Sequence, residues 1–163
     1  MPGLATYHTT RPKIVWTRPA NPSGSVPSVE ATLEFGYPLV NARSWTQPSP
    51  GSDRVRYPSG EEAAWVEHED ALLDAIVLHV PPTDGESVYG PATGWDGEFG
   101  WQAFLETAWA GHPFAFWRDR TNAGSALTCQ LVEPTREPEL GPMHTRRFPL
   151  RLRSTTLARF TGY

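Results

Sequence analysis

Seventeen prolines and fourteen glycines punctuate this chain of 163 residues. Proline removes a backbone donor and crowds the residue before it, so it interrupts helix and sheet alike. A chain cut this often folds as short elements joined by stiff turns, and long helical bundles are excluded. Seven tryptophans supply large apolar surfaces, which argue for an ordered interior. The length suits one domain with a real core.

The apolar pattern is mostly of period two, the period of a half-buried strand. In the stretch from Val29 to Val40, Ala31, Leu33, Phe35 and Tyr37 share one face, with Glu30, Thr32 and Glu34 on the other. Leu127, Cys129 and Leu131 share a face in a strand from Ala126 to Val132. In the last strand, Arg147 to Ser154, Phe148, Leu150 and Leu152 alternate with Arg147, Arg151 and Arg153. Phe114 to Asp119 reads as a strand, and Thr121 to Ser125 as a hairpin loop. A short strand over 54–57 ends at Pro58-Ser59-Gly60. Residues 61–80 admit two readings. One is a helix running through Leu72-Leu73. The other is a strand pair, Ala63–Glu67 and Ala75–Val80, joined by the acidic turn Glu67-His68-Glu69-Asp70. The β-branched residues of the second run and its stop at Pro81-Pro82 favour strands.

One segment has helical period. Trp101, Phe104, Leu105, Ala108 and Trp109 lie at i, i+3, i+4, i+7 and i+8, a wide apolar stripe. Asp96 is the expected N-cap, with Gly97 and Glu98 in the first turn. Gly111 and Pro113 stop the helix. The expected fold is therefore α+β: a mostly antiparallel β-sandwich or split barrel of about seven strands with one principal amphipathic helix. Residues 1–28 are proline-rich and polar, with only Ile14-Val15-Trp16 strand-like. They read as an N-terminal arm on a single domain spanning 29–163. The arm and the loop over 83–97 carry Trp16 and Trp95 but too little pattern to bury them, so both are expected to contact other subunits.

The net charge is −4, and no basic stripe marks a nucleic-acid surface. Arginines cluster near the C-terminus, at Arg146, Arg147, Arg151, Arg153 and Arg159, while the acids lie mostly before position 107. The asymmetry fits subunits paired basic face to acidic face, or a solvated strand face. Apolar runs such as Ala75 to Val80 are too short to span a bilayer. No leader pattern opens the chain. Cys129 is the only cysteine, so no internal disulfide forms, as in a reducing cytoplasm.

Residues that carry chemistry are sparse. His8, His68, His79, His112 and His144 share no metal-ligand spacing with one another or with Cys129. Cys129 falls on the core face of its strand, where cysteine acts as a small hydrophobe. No Gly-rich phosphate loop or nucleophile elbow is present. The dense acids Glu61, Glu62, Glu67, Glu69, Asp70 and Asp74 include pairs of the kind a glycosidase uses, though such runs are mostly surface. No catalytic, cofactor-binding or metal-binding residue is assigned. Trp16, Trp45 and Trp95 lie in or near loops. They are candidates for a subunit interface, together with Arg147, Arg151 and Arg153, or for platforms that stack on sugar rings.

The C-terminal half carries an ordered pattern. An aromatic-rich helix, Trp101 to Trp109, ends at Gly111-His112-Pro113 and leads into Phe114-Ala115-Phe116-Trp117-Arg118-Asp119. A small-residue hairpin follows, then Leu127-Thr128-Cys129-Gln130-Leu131-Val132-Glu133. The chain closes on Phe148-Pro149-Leu150-Arg151-Leu152-Arg153. Over residues 29–155 this order resembles the minor tail and distal tail hub proteins of long-tailed bacteriophages. The proline-rich first 28 residues and the loop from Pro81 to Gly97 depart from it. The resemblance implies a structural subunit, without catalytic residues or cofactor, in a sixfold or threefold homo-oligomeric ring. It would join tail tube to tail-tip proteins in the virion and be assembled in the host cytoplasm. A carbohydrate-binding β-sandwich module using the loop tryptophans is the alternative, and a small hydrolase using the acidic cluster is a third reading.

Overall fold

The computed structural model describes residues 11–48, 53–65, 68–133, 138–156 and 158–160. The chain is a mostly antiparallel β protein with a single α-helix among these residues, an α+β fold of sandwich-like type. Its strands are β1 (Lys13–Arg18), β2 (Val29–Glu34), β3 (Val40–Pro48), β4 (Asp53–Arg56), β5 (Glu62–Trp65), β6 (Glu69–Val80), β7 (Gly85–Ser87), β8 (Gly90–Ala92), β9 (Phe114–Trp117), β10 (Ala126–Leu131), β11 (Glu139–Leu140) and β12 (Arg146–Ser154). Helix α1 spans Trp101–Trp109. The main sheet runs β2-β1-β9-β10-β12-β6-β3, with β11 paired to β12. Two small hairpins, β4–β5 and β7–β8, lie outside it.

Alternation places the core. Leu33, Ile14, Phe116 and Leu127 stand side by side across four strands. Leu131, Leu152, Leu73 and Ser44 continue the inner face from β10 through β12 and β6 to β3. The sheet curls. Trp101 packs edge-on against Phe35, just past β2, at 4.9 Å, and against Phe148 on β12 at 5.1 Å. In a flat sheet β2 and β12 would lie about 19 Å apart, four strand spacings. Trp16, Phe104 and Phe114 extend the same aromatic stack, an arrangement that edge-to-face rings favour.

Three expectations change here. The proline-rich first segment is not an arm outside the domain. Strand β1 lies between β2 and β9, and Ile14 and Trp16 are 0% and 2% exposed. Three strand-like residues look too few to bury a tryptophan, but two flanking strands and α1 supply the cover. The first ten residues lie outside the described part. Second, residues 62–65 do not pair with 75–80; they pair with β4, and residues 69–80 form one twelve-residue strand. Third, the segment 83–97 is not a free loop. It contains β7–β8, and Ser87 Oγ donates to Gly36 O while Thr93 N donates to Glu34 O.

Helix α1 covers the expected apolar stripe but starts four residues later than an Asp96 cap implies. Gly100, not Asp96, is its N-cap, and no side chain caps it. The first amides find backbone acceptors instead: Trp101 N donates to Gly94 O at 3.0 Å and Gln102 N to Trp95 O at 3.2 Å. These are the donors a cap would otherwise satisfy. The arrangement needs glycine at position 94, where a Cβ would overlap the Thr83 backbone. Trp101, Phe104 and Ala108 are buried, but Trp109 is 57% exposed. At 100° per residue it points about 100° away from the centre of the buried stripe. Gly111 ends the helix at φ +93°, and its amide donates to Ala108 O.

Trp16→Ala is expected to lower unfolding free energy by about 3–5 kcal/mol, the cost of a large cavity. Urea unfolding measures it. An unchanged midpoint would place β1 outside the core after all.

Candidate interaction surfaces

The outer face of β3, β6, β12 and β10 is polar in a specific register. Arg43, Asp74 and Arg151 are direct neighbours on three strands. Arg43 Nη2 and Arg151 Nη2 both reach Asp74 Oδ2, at 3.2 and 3.3 Å. Arg151 also donates to Glu133 Oε1 at 3.0 Å. The next row is Trp45, Leu72, Arg153 and Gln130. Arg153 donates to Gln130 Oε1 at 3.0 Å and lies 3.9 Å from Asp70 Oδ2. Leu72 is buried although it points outward, because these long side chains lie across it.

The opposite charges of the two chain halves thus meet inside one chain. Antiparallel pairing of β6 with β12 sets Asp74 and Asp70 against Arg151 and Arg153, and Glu69 is paired to Arg159 at 3.3 Å. Arg147 is exposed, 3.9 Å from Glu139. Of the six interface candidates, Arg151 and Arg153 already have their charge answered within the chain, and Trp16 is in the core. The acidic cluster is dispersed: Glu61 and Glu62 lie on the β4–β5 hairpin, whereas Glu69, Asp70 and Asp74 face arginines on the sheet.

The remaining tryptophans are half-buried, and arginines lie over their rings. Arg43 and Arg151 approach Trp45 to 5.8 and 5.9 Å, and Arg146 lies 5.3 Å from Trp95. Trp95 also packs edge-on against Phe148. A sugar platform needs an open ring face, which these cation–π contacts occupy. Cys129 is fully buried, and burial pushes its thiol up to about 12. Among the described residues no three His, Cys, Asp or Glu side chains are grouped as a metal site. No helix there is long and apolar enough to cross a membrane.

Two features escaped the sequence. The first is the pairing of β4 with β5, each expected as a strand but not as partners; the hairpin comes between β3 and β6 in the chain, and its described side chains from Arg54 to Ala64 are all exposed. Its register separates two faces: Arg54 and Arg56 lie with Ala64 and Glu62, while Val55 lies with Ala63. Val55 and Tyr57 are 48% and 50% exposed. The second is the opposite end of β6. There Tyr37 packs on His79 and Tyr89, and Leu140 pairs with Arg146. Val88 and Met143 are 85% and 89% exposed. The described non-glycine residues with positive φ, Asn41, His79, Met143 and His144, all belong to this end. Each costs about 1–2 kcal/mol of backbone strain, a cost that often marks functional surface.

A scan against protein-family models matches none of them, and a search of curated proteins finds no match.

Asp74→Ala should cost about 1–2 kcal/mol in urea unfolding, since it removes the carboxylate shared by Arg43 and Arg151 and leaves Arg151, whose Nε is already buried without a partner, with Glu133 alone. A loss under about 0.3 kcal/mol would mean that solvent screens the network. Native Cys129 should resist alkylation at pH 8 and react on unfolding. Its raised pKa stabilises the fold below the unfolded thiol's pKa, and that contribution is lost as pH rises toward 12. Rapid native labelling would show the strand opening locally.

Proposed function

We propose that this protein is a structural subunit of a bacteriophage tail, forming a homo-oligomeric ring at the tube end or tail tip that connects tube to tip proteins. The observation that carries the reading is the projecting β4–β5 hairpin. A two-stranded hairpin is marginal in water without a further surface to pack on. Here the described side chains of the hairpin from Arg54 to Ala64 are exposed, Val55 and Tyr57 among them. Such a device serves contact with another polypeptide. The tail assignment itself comes from the order of elements in the C-terminal half. Helix α1, the aromatic strand β9, the hairpin to β10 and the alternating strand β12 follow one another as in tail-hub proteins.

A carbohydrate module is the weaker reading, because arginines lie over Trp45 and Trp95. The two differ in solution. A ring subunit self-associates as concentration rises and co-sediments with tail tube or tip proteins. A sugar module stays monomeric and binds glycans, with loss of binding in Trp45→Ala or Trp95→Ala. Light scattering across a concentration series, beside a glycan array, distinguishes them. A monomer at every concentration that binds sugar overturns the tail reading.

A further inference from the structure

We infer that Arg11 and Arg120 form a binding site for a small oxyanion, a phosphate or carboxylate group, where β1 and β9 meet the β7–β8 hairpin. The inference stands apart from the tail reading and survives its failure.

The polar and charged residues buried among those described are Arg11, Asp70 and Ser154. Asp70 faces His68 and Arg153, and Ser154 shares a hydrogen bond with Thr156. Arg11 is 6% exposed, yet its guanidinium makes no ion pair and no hydrogen bond among the described residues, and its Nη1 is covered and unpaired. The other buried nitrogens without a hydrogen bond belong to groups answered in another way. Trp16 is neutral, Arg151 reaches Asp74 and Glu133 through its other nitrogens, and Arg146 lies over the Trp95 ring. The ten residues before Arg11 include no Asp or Glu, so they bring it no carboxylate. A buried charge without a counter-charge is costly, and a buried donor without an acceptor points to an ion or water at the site.

The fold sets a second cation beside the first. Arg120 N donates to Arg11 O at 2.9 Å, which holds the two arginines together at the start of β1. The charged groups that act on Arg11 are Arg120 and Glu34. Glu34 Oε2 is already paired with Arg120 Nη1 at 3.3 Å, so two guanidiniums share one carboxylate. Asp119, the neighbour of Arg120, turns its carboxylate to Thr121 instead. Burial first, and Arg120 second, lower the Arg11 pKa from its usual value. Gly90 fixes where the guanidinium sits. A Cβ there would stand 3.1 and 3.2 Å from Nη1 and Nη2 of Arg11, so the glycine lets the arginine pack on the start of β8. The side chains of Arg120 and Glu34 are 27% and 33% exposed, and the ion enters from their side. Guanidinium donors are set out in a planar fork that suits phosphate and carboxylate oxygens.

Calorimetric titration of the full chain with sodium phosphate, and separately with sodium acetate, tests this, beside thermal unfolding in the same anions. Chloride holds the ionic strength constant, so that screening does not change. Phosphate should saturate one site and raise the unfolding temperature by about 3 °C or more near saturation. Acetate acting in its place also supports the site and makes a carboxylate its ligand. Arg11→Met, which keeps the length of the side chain without its charge, should abolish both the heat and the temperature shift. Glu34→Gln removes the competing carboxylate and should tighten binding at least threefold. Equal responses of wild type and Arg11→Met overturn the inference, since the ion then binds elsewhere. A wild type that responds to neither anion overturns it as well. If Arg11→Met fails to fold, Arg120→Met at its partly exposed position decides: binding at least tenfold weaker supports the site, and binding as tight as in wild type overturns it.

Discussion

Trp101 bridges the inner face of the curled sheet. Its ring touches Phe35 beyond one edge strand and Phe148 four strands away, so the sheet curls around it. The aromatic part of the interior is built around that contact. Phe104 on the same helix reaches Trp16 and Phe114, and Trp95 closes over Phe148 from the helix entry. The entry in turn depends on Gly94 and Gly100, where the backbone passes too close for a side chain. A nine-residue helix without a capping side chain has little stability alone. It persists because one face carries this aromatic stack and because its first amides are tied to the chain just before it.

The outer face obeys a different rule. Arginines on β12 and acids on β6 are remote in sequence, yet antiparallel register makes them neighbours. Arg151 sets its guanidinium against Asp74 and the Trp45 ring, and Arg153, beside Leu72 in register, faces Asp70. The result is a polar layer in which arginines and carboxylates pair across three strands. Exposed apolar groups lie off this face, among them Val55 and Tyr57 on the β4–β5 hairpin, Trp109 on α1, and Val88, Leu140 and Met143 near the Val80 end of β6. The interaction surfaces follow from this division of labour.

Much of this architecture is legible in the residues. Period-two alternation located β2, β10 and β12, and the i, i+3, i+7 spacing located the body of α1, though not its start. Cys129 was recognisable as a core position from its neighbours Leu127 and Leu131. The errors have different origins. Trp109 looked buried because it lies within the apolar spacing, yet helix geometry turns it from the buried stripe. Residues 63–67 were matched to 75–80, whereas β5 turns back on the preceding strand β4. Trp16 looked exposed because β1 is short, and its deciding partners are far along the chain. Lys13 to Val15 is held by Phe116 and Trp117 from a hundred residues later, and no local window contains that information.

What the sequence determined by itself was the list of strands, their inward and outward faces, and the single helix, because period and turn chemistry are local properties of the backbone. The tertiary structure alone decided which strands pair, and with that the exchange of charge between β6 and β12. It also decided that the loop tryptophans would be covered by arginines and that the β4–β5 hairpin would stand clear of the sheet. Those outcomes depend on register between segments far apart in the chain, and register is set only when the whole apolar face is buried at once.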